Sequence, residues 1–303
     1  MQTIKSLSEF HRLLSIPPPL HPLVSVVLVS EIHAVNSDVW ESFSTDFYTI
    51  SLKNNIHSKV KYGQQYYDFE KGTMTFTAPK QVQSVEIDES IKFNDNIGMG
   101  YVLMFHTAFL KNHPLQRIIK NYGFFSYSIN EALHLSIQEE KNVVEIFQKI
   151  EKEYQYIDKH TQDIILAQID LLLNYCNRFY ERQFITRKVI NNDLLSRMEQ
   201  LLNDYFDNGE TQRNGLVTVE YLANKLKISS NYLSDMLRSL TGQNTQQHIH
   251  EKIIEVAKEK LITTNLSVSE IAYELGFEQP QSLNRLFKMK TNLSPLKFRQ
   301  SFN

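Results

Sequence analysis

The sequence has almost no cysteine, since Cys176 is the single one among 303 residues. A lone cysteine cannot form an intrachain disulfide, and no charged and then apolar N-terminal segment with a cleavage site is visible. The longest apolar run near the start, from Leu23 to Val29, is far shorter than the ~20 residues that a membrane helix needs. We therefore expect a cytoplasmic protein that does not span a membrane.

The chain also has little net charge, -2 at pH 7, which argues against a protein that is basic throughout and coats nucleic acid without specificity. Its charge is uneven, however, because residues 279–303 contain basic side chains and no acidic one. The basic residues are Arg285, Lys288, Lys290, Lys297 and Arg299. This segment is either a solvated basic surface or a local contact for a polyanion.

Motifs of common enzymes are missing as well. The sequence has no glycine-rich phosphate loop, no pair of cysteines at metal-binding spacing and no helix of the His-Glu-x-x-His type. We therefore expect no catalytic residue, no metal ion and no cofactor.

Between residues 23 and 106, aromatic and β-branched residues occur in short runs separated by turn-prone residues, a pattern typical of strands. The predicted strands are Leu23–Val29, Phe43–Leu52, Lys59–Phe69, Thr73–Thr77, Val82–Ile87 and Tyr101–Phe105. No long amphipathic helix interrupts them. A β-sandwich or jelly roll within residues 1–128 fits this pattern best.

Helical spacing replaces the strand pattern in residues 129–182. A helix predicted from Gln162 to Arg182 has apolar residues at alternating steps of four and three, as in helices that pack lengthwise on one another. These residues are Ile165, Ile169, Leu172, Cys176 and Phe179. Two interpretations stay open: the helix packs on the protein's own sandwich, or it forms a homodimer interface, which Ile164, Leu171 and Tyr175 would widen.

A cluster of polar residues over 183–193 predicts the linker between two domains. Residues 194–303 are predicted to be helical throughout. They contain two short helix pairs with matching patterns, at about 218–240 and 267–290. One long helix, from Gln246 to Ile262, connects the two pairs and holds them apart.

The helix pairs carry the marks of helix-turn-helix motifs. Ala223 and Ala272 occupy equivalent places, where a small side chain lets paired helices approach closely. Ser267 and Glu270 form an S-x-x-E capping box before the second pair, and Gly276 stands where the chain must turn sharply. Thr218 alone can cap the first pair.

The run from Ser267 to Phe277, with residues beyond it, closely resembles the signature of the AraC/XylS family of transcription regulators. The matching residues beyond the run are Ser282, Arg285, Phe287, Lys288, Ser294, Pro295, Phe298 and Arg299. The resemblance spans roughly residues 195–303, about a third of the chain. It departs at Asn292, where the family often has glycine, and at Asp235, where it frequently has arginine.

The resemblance implies that the protein binds double-stranded DNA through one recognition helix per motif. For base reading it implies Ser230, Asn231, Ser234 and Asp235 in the first motif and Gln281, Ser282, Asn284 and Arg285 in the second. For phosphate contacts it implies Arg238, Lys288 and Lys290. Asp235 either accepts from cytosine N4 or is repelled by phosphate. RNA polymerase is a further partner if the protein is an activator.

The strand-rich segment is similar to the cupin-type sensor domain that often precedes this module. A metal-binding cupin needs clustered histidines, and the stretch from Tyr62 to Glu86 contains none. We therefore predict a pocket without metal for a small-molecule effector, unless the same rings are ordinary core. Its aromatic lining would be Trp40, Tyr48, Tyr62, Tyr66 and Phe76.

The sequence thus predicts an α+β multidomain regulator. It has an N-terminal cupin-like β-sandwich with a helical dimerisation segment and a C-terminal all-α double helix-turn-helix domain. The alternative function is a cupin-fold enzyme with an accessory helical domain, which stoichiometric iron or zinc in the purified protein would reveal.

Overall fold

The computed structural model describes residues 2–32, 38–53, 56–62, 65–69, 72–83, 100–128 and 131–301, with the backbone alone at 38, 56–62, 65–69 and 188–190. The chain divides into two compact units, Met1–Gln183 and Phe184–Asn303. The boundary between the units lies within the segment 183–193 that the sequence predicts as a linker.

The first unit contains the strands and four of the described α-helices. The strands are β1 (Gln2–Ile4), β2 (Val24–Leu28), β3 (Phe43–Thr45), β4 (Phe47–Lys53), β5 (Ile56–Tyr62), β6 (Gln65–Phe69), β7 (Thr73–Thr77), β8 (Gly100–His106) and β9 (Leu133–His134). The helices are α1 (Leu7–Leu13), α2 (Leu115–Ile118), α3 (Ile137–Gln155) and α4 (Thr161–Thr186), the last of which runs past the unit boundary.

The main sheet is antiparallel and has the strand order β2-β8-β4-β7-β9. Two smaller pairs accompany it, β1 with β3 in parallel and β5 with β6 antiparallel. Of the predicted strand Val82–Ile87, Gln83 forms an isolated bridge with Phe43, and the residues from 84 onward lie outside the described part. The predicted strands Leu23–Val29, Thr73–Thr77 and Tyr101–Phe105 are confirmed as β2, β7 and β8. The predictions of single strands over Phe43–Leu52 and Lys59–Phe69 were wrong, because each is divided into two strands, β3 with β4 and β5 with β6. The unit is a mixed α/β fold around an antiparallel sheet.

Both faces of β8, an inner strand of this sheet, are covered. Successive side chains of a strand point to opposite faces, and Leu103, Met104 and Phe105 are all fully buried. Met104 packs in a cluster with Leu7 of α1 and Trp40. On the other face, the Tyr101 ring stacks on Phe147 of α3 with centroids 5.2 Å apart. Helices therefore lie against the sheet on either side.

Helix α4 confirms the helix predicted from Gln162 to Arg182, with its ends extended to Thr161 and Thr186. The five residues predicted as a dimer interface lie on its inner face: Ile165, Ile169, Leu172, Cys176 and Phe179. The Cys176 thiol lies 3.8 Å from the Met74 sulfur in β7, and burial raises its pKa. The prediction that these side chains face a second copy was wrong, because the seam is used to pack α4 on the chain's own sheet.

The second unit is helical throughout the described residues. Its helices are α5 (Lys188–Asp207), α6 (Glu210–Asn214), α7 (Val219–Leu226), α8 (Ser230–Thr241), α9 (Thr245–Thr263), α10 (Val268–Glu274), α11 (Pro280–Thr291) and α12 (Pro295–Gln300). The segment 183–193 is the end of α4 and the start of α5, with a turn at Arg187. The long helix predicted from Gln246 to Ile262 is confirmed as α9.

Candidate DNA-binding interface

The first helix-turn-helix motif consists of α7 and α8. The Thr218 hydroxyl caps α7 by accepting from the Tyr221 N–H at 3.1 Å. The turn after α7 places Lys227 in the left-handed region, with φ of 59°. Ala223 is buried between the paired helices, as its small size predicts.

The second motif consists of α10 and α11. The capping box predicted for Ser267 and Glu270 is present, with both of its hydrogen bonds formed. These bonds, the one from the Ser267 backbone first, hold the pKa of Glu270 below its ordinary value. Gly276 turns the chain with φ of 87°, and Asn292 ends α11 with φ of 61°. Asn292 thus fills the left-handed cap position for which the family often uses glycine.

The two motifs repeat each other in detail. Within the recognition helices the offset is fifty residues, so that buried Leu233, Met236 and Leu237 correspond to buried Leu283, Leu286 and Phe287. At the end of each helix, a threonine hydroxyl donates to the carbonyl four residues earlier, at 2.9 Å for Thr241 and 2.8 Å for Thr291. The buried positions and the caps are therefore the same in both motifs.

Helix α11 presents its predicted base-reading residues to solvent. Four of them are exposed on the side of the helix away from the core: Gln281, Ser282, Asn284 and Arg285. Pro280 occupies the first helical turn, where its missing N–H costs nothing. The arrangement leaves amide, hydroxyl and guanidinium groups available for base edges in a major groove.

Helix α8 presents its polar residues differently. Asn231 is exposed, Ser230 is half-buried, and the Ser234 hydroxyl lies 3.0 Å from that of buried Thr245 at the start of α9. Asp235 forms an ion pair with Arg238 at 2.7 Å. The structure therefore engages three of the residues predicted for DNA contact, Ser234, Asp235 and Arg238, in bonds within the domain.

The basic residues of the second motif also differ from one another. Lys288 is exposed, whereas the Lys290 ammonium lies 3.8 Å from the Glu251 carboxylate of α9. Burial lowers the pKa of His250 in α9, and the charge of Lys290 lowers it further. Lys288 is thus the better placed of the two for a phosphate, because the nearest charged partner of Lys290 belongs to the protein itself.

Arg299 has a role that the sequence did not reveal. Its guanidinium donates to the Leu261 carbonyl at 2.9 Å and to the Leu266 carbonyl at 2.7 Å. It thereby ties the end of α9 to the loop before α10. The sequence placed Arg299 in the basic segment and in the family signature but did not predict this role, since its backbone partners lie more than thirty residues away.

The predicted effector pocket is not assembled as one site in the described residues. Trp40 contacts Phe43 at a ring distance of 5.3 Å, in the cluster that also contains α1. Tyr48 and Phe76 both contact Phe125, at 5.0 Å and 5.8 Å. The side chains of Tyr62 and Tyr66 lie outside the described part. Tyr48 and Phe76 therefore share one aromatic cluster, and Trp40 belongs to another.

No group of three or more His, Cys, Asp or Glu side chains in the described residues is arranged to hold a metal ion. No helix in the described part is long and apolar enough to cross a membrane.

A family profile described as "Helix-turn-helix domain" matches residues 222–301. The chain is 28% identical over 116 residues to an uncharacterized HTH-type transcriptional regulator in the cgkA 5' region of Pseudoalteromonas carrageenovora, covering 38% of this chain and 64% of that protein. It is 28% identical over 105 residues to the probable transcription factor PqrA of Proteus vulgaris, covering 34% of this chain and 86% of that protein.

Among solved structures, the DNA-binding domain of the global transcriptional factor AdpA in complex with a target DNA is similar at 25% identity. The match covers 35% of this chain and 91% of that chain, with a TM-score of 0.31. The family profile covers both recognition helices and the helix between them. The chain therefore has an AraC-type helix-turn-helix domain at its C-terminus, and the relatives that match it there are regulators of the AraC/XylS family.

Proposed function

We propose that the chain is a sequence-specific DNA-binding transcription regulator of the AraC/XylS type, controlled by a small molecule that binds its N-terminal unit. The observation that carries the proposal is the exposed polar face of α11 inside a domain of this family. Gln281 and Asn284 suit adenine N6 and N7, and Arg285 suits guanine O6 and N7. Lys288 supplies a phosphate contact that holds the helix in the groove.

The test is selection of duplexes from a random library by the full chain, followed by affinity measurements over a range of salt concentrations. We expect the selected duplex to bind at least about a thousandfold more tightly than a scrambled duplex of the same composition. The affinity should fall with salt at a slope of about -0.9 for each neutralised phosphate. Equal affinity for the selected and the scrambled duplex would contradict the proposal.

The N-terminal unit is proposed to be a cupin-like sensor without metal. Support comes from its antiparallel sheet and from the aromatic cluster of Tyr48, Phe76 and Phe125 on one face. We place the effector at this cluster rather than at Trp40. A small-molecule extract of the expressing cells should raise the melting temperature of the wild type and of Trp40→Phe, and should raise that of Phe76→Leu less. An equal shift in all three proteins would remove the cluster from the site.

We also propose a homodimer that forms through the outer, exposed face of α4 and not through its buried inner face. Ile164 and Leu171 are each 42% exposed and lie seven residues apart, hence on the same face. Adjacent residues make a matched test. Leu171→Lys should give a folded monomer, whereas Leu172→Lys should unfold the first unit because Leu172 is fully buried. Light scattering with circular dichroism checks both, and a monomeric wild type at micromolar concentration would end this proposal.

A further inference from the structure

The two helix-turn-helix motifs are joined in a second place besides α9. Helix α6 and the loop after it, in front of the first motif, contact the end of α10 and the turn between α10 and α11 of the second. The hydroxyl of Thr211, which is buried, donates to the Glu274 carbonyl at 2.6 Å. Glu274 is the last residue of α10, so this bond satisfies a carbonyl that the helix leaves without an internal partner.

Comparison of the two turns shows why the second one contains glycine. Lys227 and Gly276 occupy equivalent places, and both have positive φ, 59° and 87°. Lysine at 227 demonstrates that this kind of turn does not require glycine. At 276, however, an added Cβ would lie 2.6 Å from the carbonyl carbon of Gly215. The missing side chain of Gly276 therefore serves close contact with the other part of the domain.

Gly215 is held in place from the opposite side. Its φ of 76° and ψ of -157° fall in a region that glycine alone occupies readily. Its carbonyl accepts from the hydroxyl of buried Tyr205 in α5 at 3.0 Å. In the second motif, Lys260 of α9 forms an ion pair with the Glu274 carboxylate at 2.8 Å. We call the set of Thr211, Gly215, Glu274 and Gly276 the clasp.

Two elements that are connected at one point can rotate about it, and a second connection removes that freedom. Here, rotation of one motif relative to the other would break the Thr211 hydrogen bond and separate two closely packed backbones. A recognition helix reads bases only in one register with the groove, and each added base pair turns the groove by about 35°. A fixed pair of helices therefore accepts one separation of two subsites, unless the DNA is deformed.

We infer that the clasp sets the spacing between the two DNA subsites that this chain reads, and that Thr211 and Tyr205 are its positioning residues. The inference rests on the proposed function. The probe is the duplex selected by the full chain, together with versions that have one base pair inserted or removed between the subsites. The wild type should lose at least about tenfold in affinity on either altered duplex.

The variants are Thr211→Val, which removes the hydroxyl at nearly constant volume, and Tyr205→Phe, which removes the bond to Gly215. Each should reduce the spacing penalty to about threefold or less, because the motifs can then adjust independently. Thr211→Ser keeps the donor and should restore the penalty. Thr263→Val is the matched control, since the Thr263 hydroxyl bonds within α9, to the Glu259 carbonyl, and it should behave as wild type.

Circular dichroism establishes which variants are folded. If Thr211→Val does not fold, Tyr205→Phe carries the same test. A folded Thr211→Val or Tyr205→Phe protein with the full wild-type penalty would overturn the inference while leaving the proposed function intact. A wild type that selects no duplex at all would instead refute the proposed function.

Discussion

The recognition helices of the two helix-turn-helix motifs have corresponding buried residues, but their outer faces differ in charge. Buried positions and threonine caps correspond one to one between α8 and α11. At one equivalent position on the outer face, however, α8 carries half-buried Asp235 and α11 carries exposed Arg285. Packing determines which residues fit between the helices, whereas the outer face is free to change with the DNA it meets. The comparison therefore separates what the fold needs from what recognition needs.

The two recognition helices also differ in the number of their charged residues. Helix α8 has one acidic and one basic residue, Asp235 and Arg238, and they pair with each other. Helix α11 has Arg285, Lys288 and Lys290 and no acidic residue. Attraction to phosphate scales with the number of cations that reach it. We therefore expect the second motif to anchor the domain and the first to add contacts that depend little on salt.

The largest effect should come from separating the two motifs on the DNA. Five base pairs inserted between the subsites rotate one of them by about half a turn. The domain then loses all base contacts of one recognition helix, and affinity should fall at least about a hundredfold, since each good contact contributes ~1–3 kcal/mol. Footprinting should shrink from two turns to one, over the second motif. Indifference to the insertion would mean that only one motif reads DNA.

The next effect concerns the charge-reversed positions. Arg285→Ala should cost ~1–3 kcal/mol on the selected duplex, relax the preference at one base pair, and change binding to random DNA little. Asp235→Ala is the matched change in the first motif and should cost much less, because Asp235 is already engaged by Arg238. Competition assays with single-base variants measure both. Equal losses on selected and random DNA would exclude Arg285 from base reading.

A smaller effect should appear in the salt dependence. Lys288→Ala should weaken binding to all duplexes and flatten the salt slope by about one unit. Arg238→Ala should leave the slope nearly unchanged, since its guanidinium is paired with Asp235. Asp235→Asn should release Arg238 for a phosphate and steepen the slope by about 0.9. Titrations at several salt concentrations decide this, and a flatter slope for Arg238→Ala would show that the ion pair opens on DNA.

Much of the helical domain could be predicted from sequence because its signals are local. The Ser267–Glu270 capping box, the left-handed turns at Gly276 and Asn292, and the small Ala223 and Ala272 each act within a few residues of their partners. The bonds of Ser234 to Thr245 and of Arg299 to Leu261 and Leu266 join separate helices. Neither helical periodicity nor a capping motif predicts contacts between separate helices. The sequence therefore could not show which of the predicted site residues bond within the domain.

The prediction of a dimer interface on the inner face of α4 was wrong for a related reason. Alternating four and three spacing identifies a buried face of a helix, and it does not identify the partner that buries it. Leu172 and Cys176 pack inside the first unit, so the same pattern served the chain's own sheet. Likewise, aromatic composition predicted that Trp40, Tyr48 and Phe76 line one pocket, but the packing puts Tyr48 and Phe76 together around Phe125 and Trp40 in a different cluster.

The smallest expected effect tests the two turns themselves. Lys227 has φ of 59°, a conformation that costs a residue with a Cβ about 1–2 kcal/mol. Lys227→Gly removes that cost, and glycine's larger loss of entropy on folding returns roughly 0.5–1 kcal/mol. The first motif should therefore become more stable by at most about 1.5 kcal/mol, with DNA affinity unchanged. Slower amide hydrogen exchange in α7 and α8 would report the gain.

Lys225→Gly, inside α7, is the control and should speed exchange, because glycine costs ~1 kcal/mol in a helix interior and the contact of Lys225 with the Tyr221 ring is lost. If Lys227→Gly destabilised the motif as much as Lys225→Gly, the left-handed turn would not be the strained point, and the contrast with Gly276 would lose its basis.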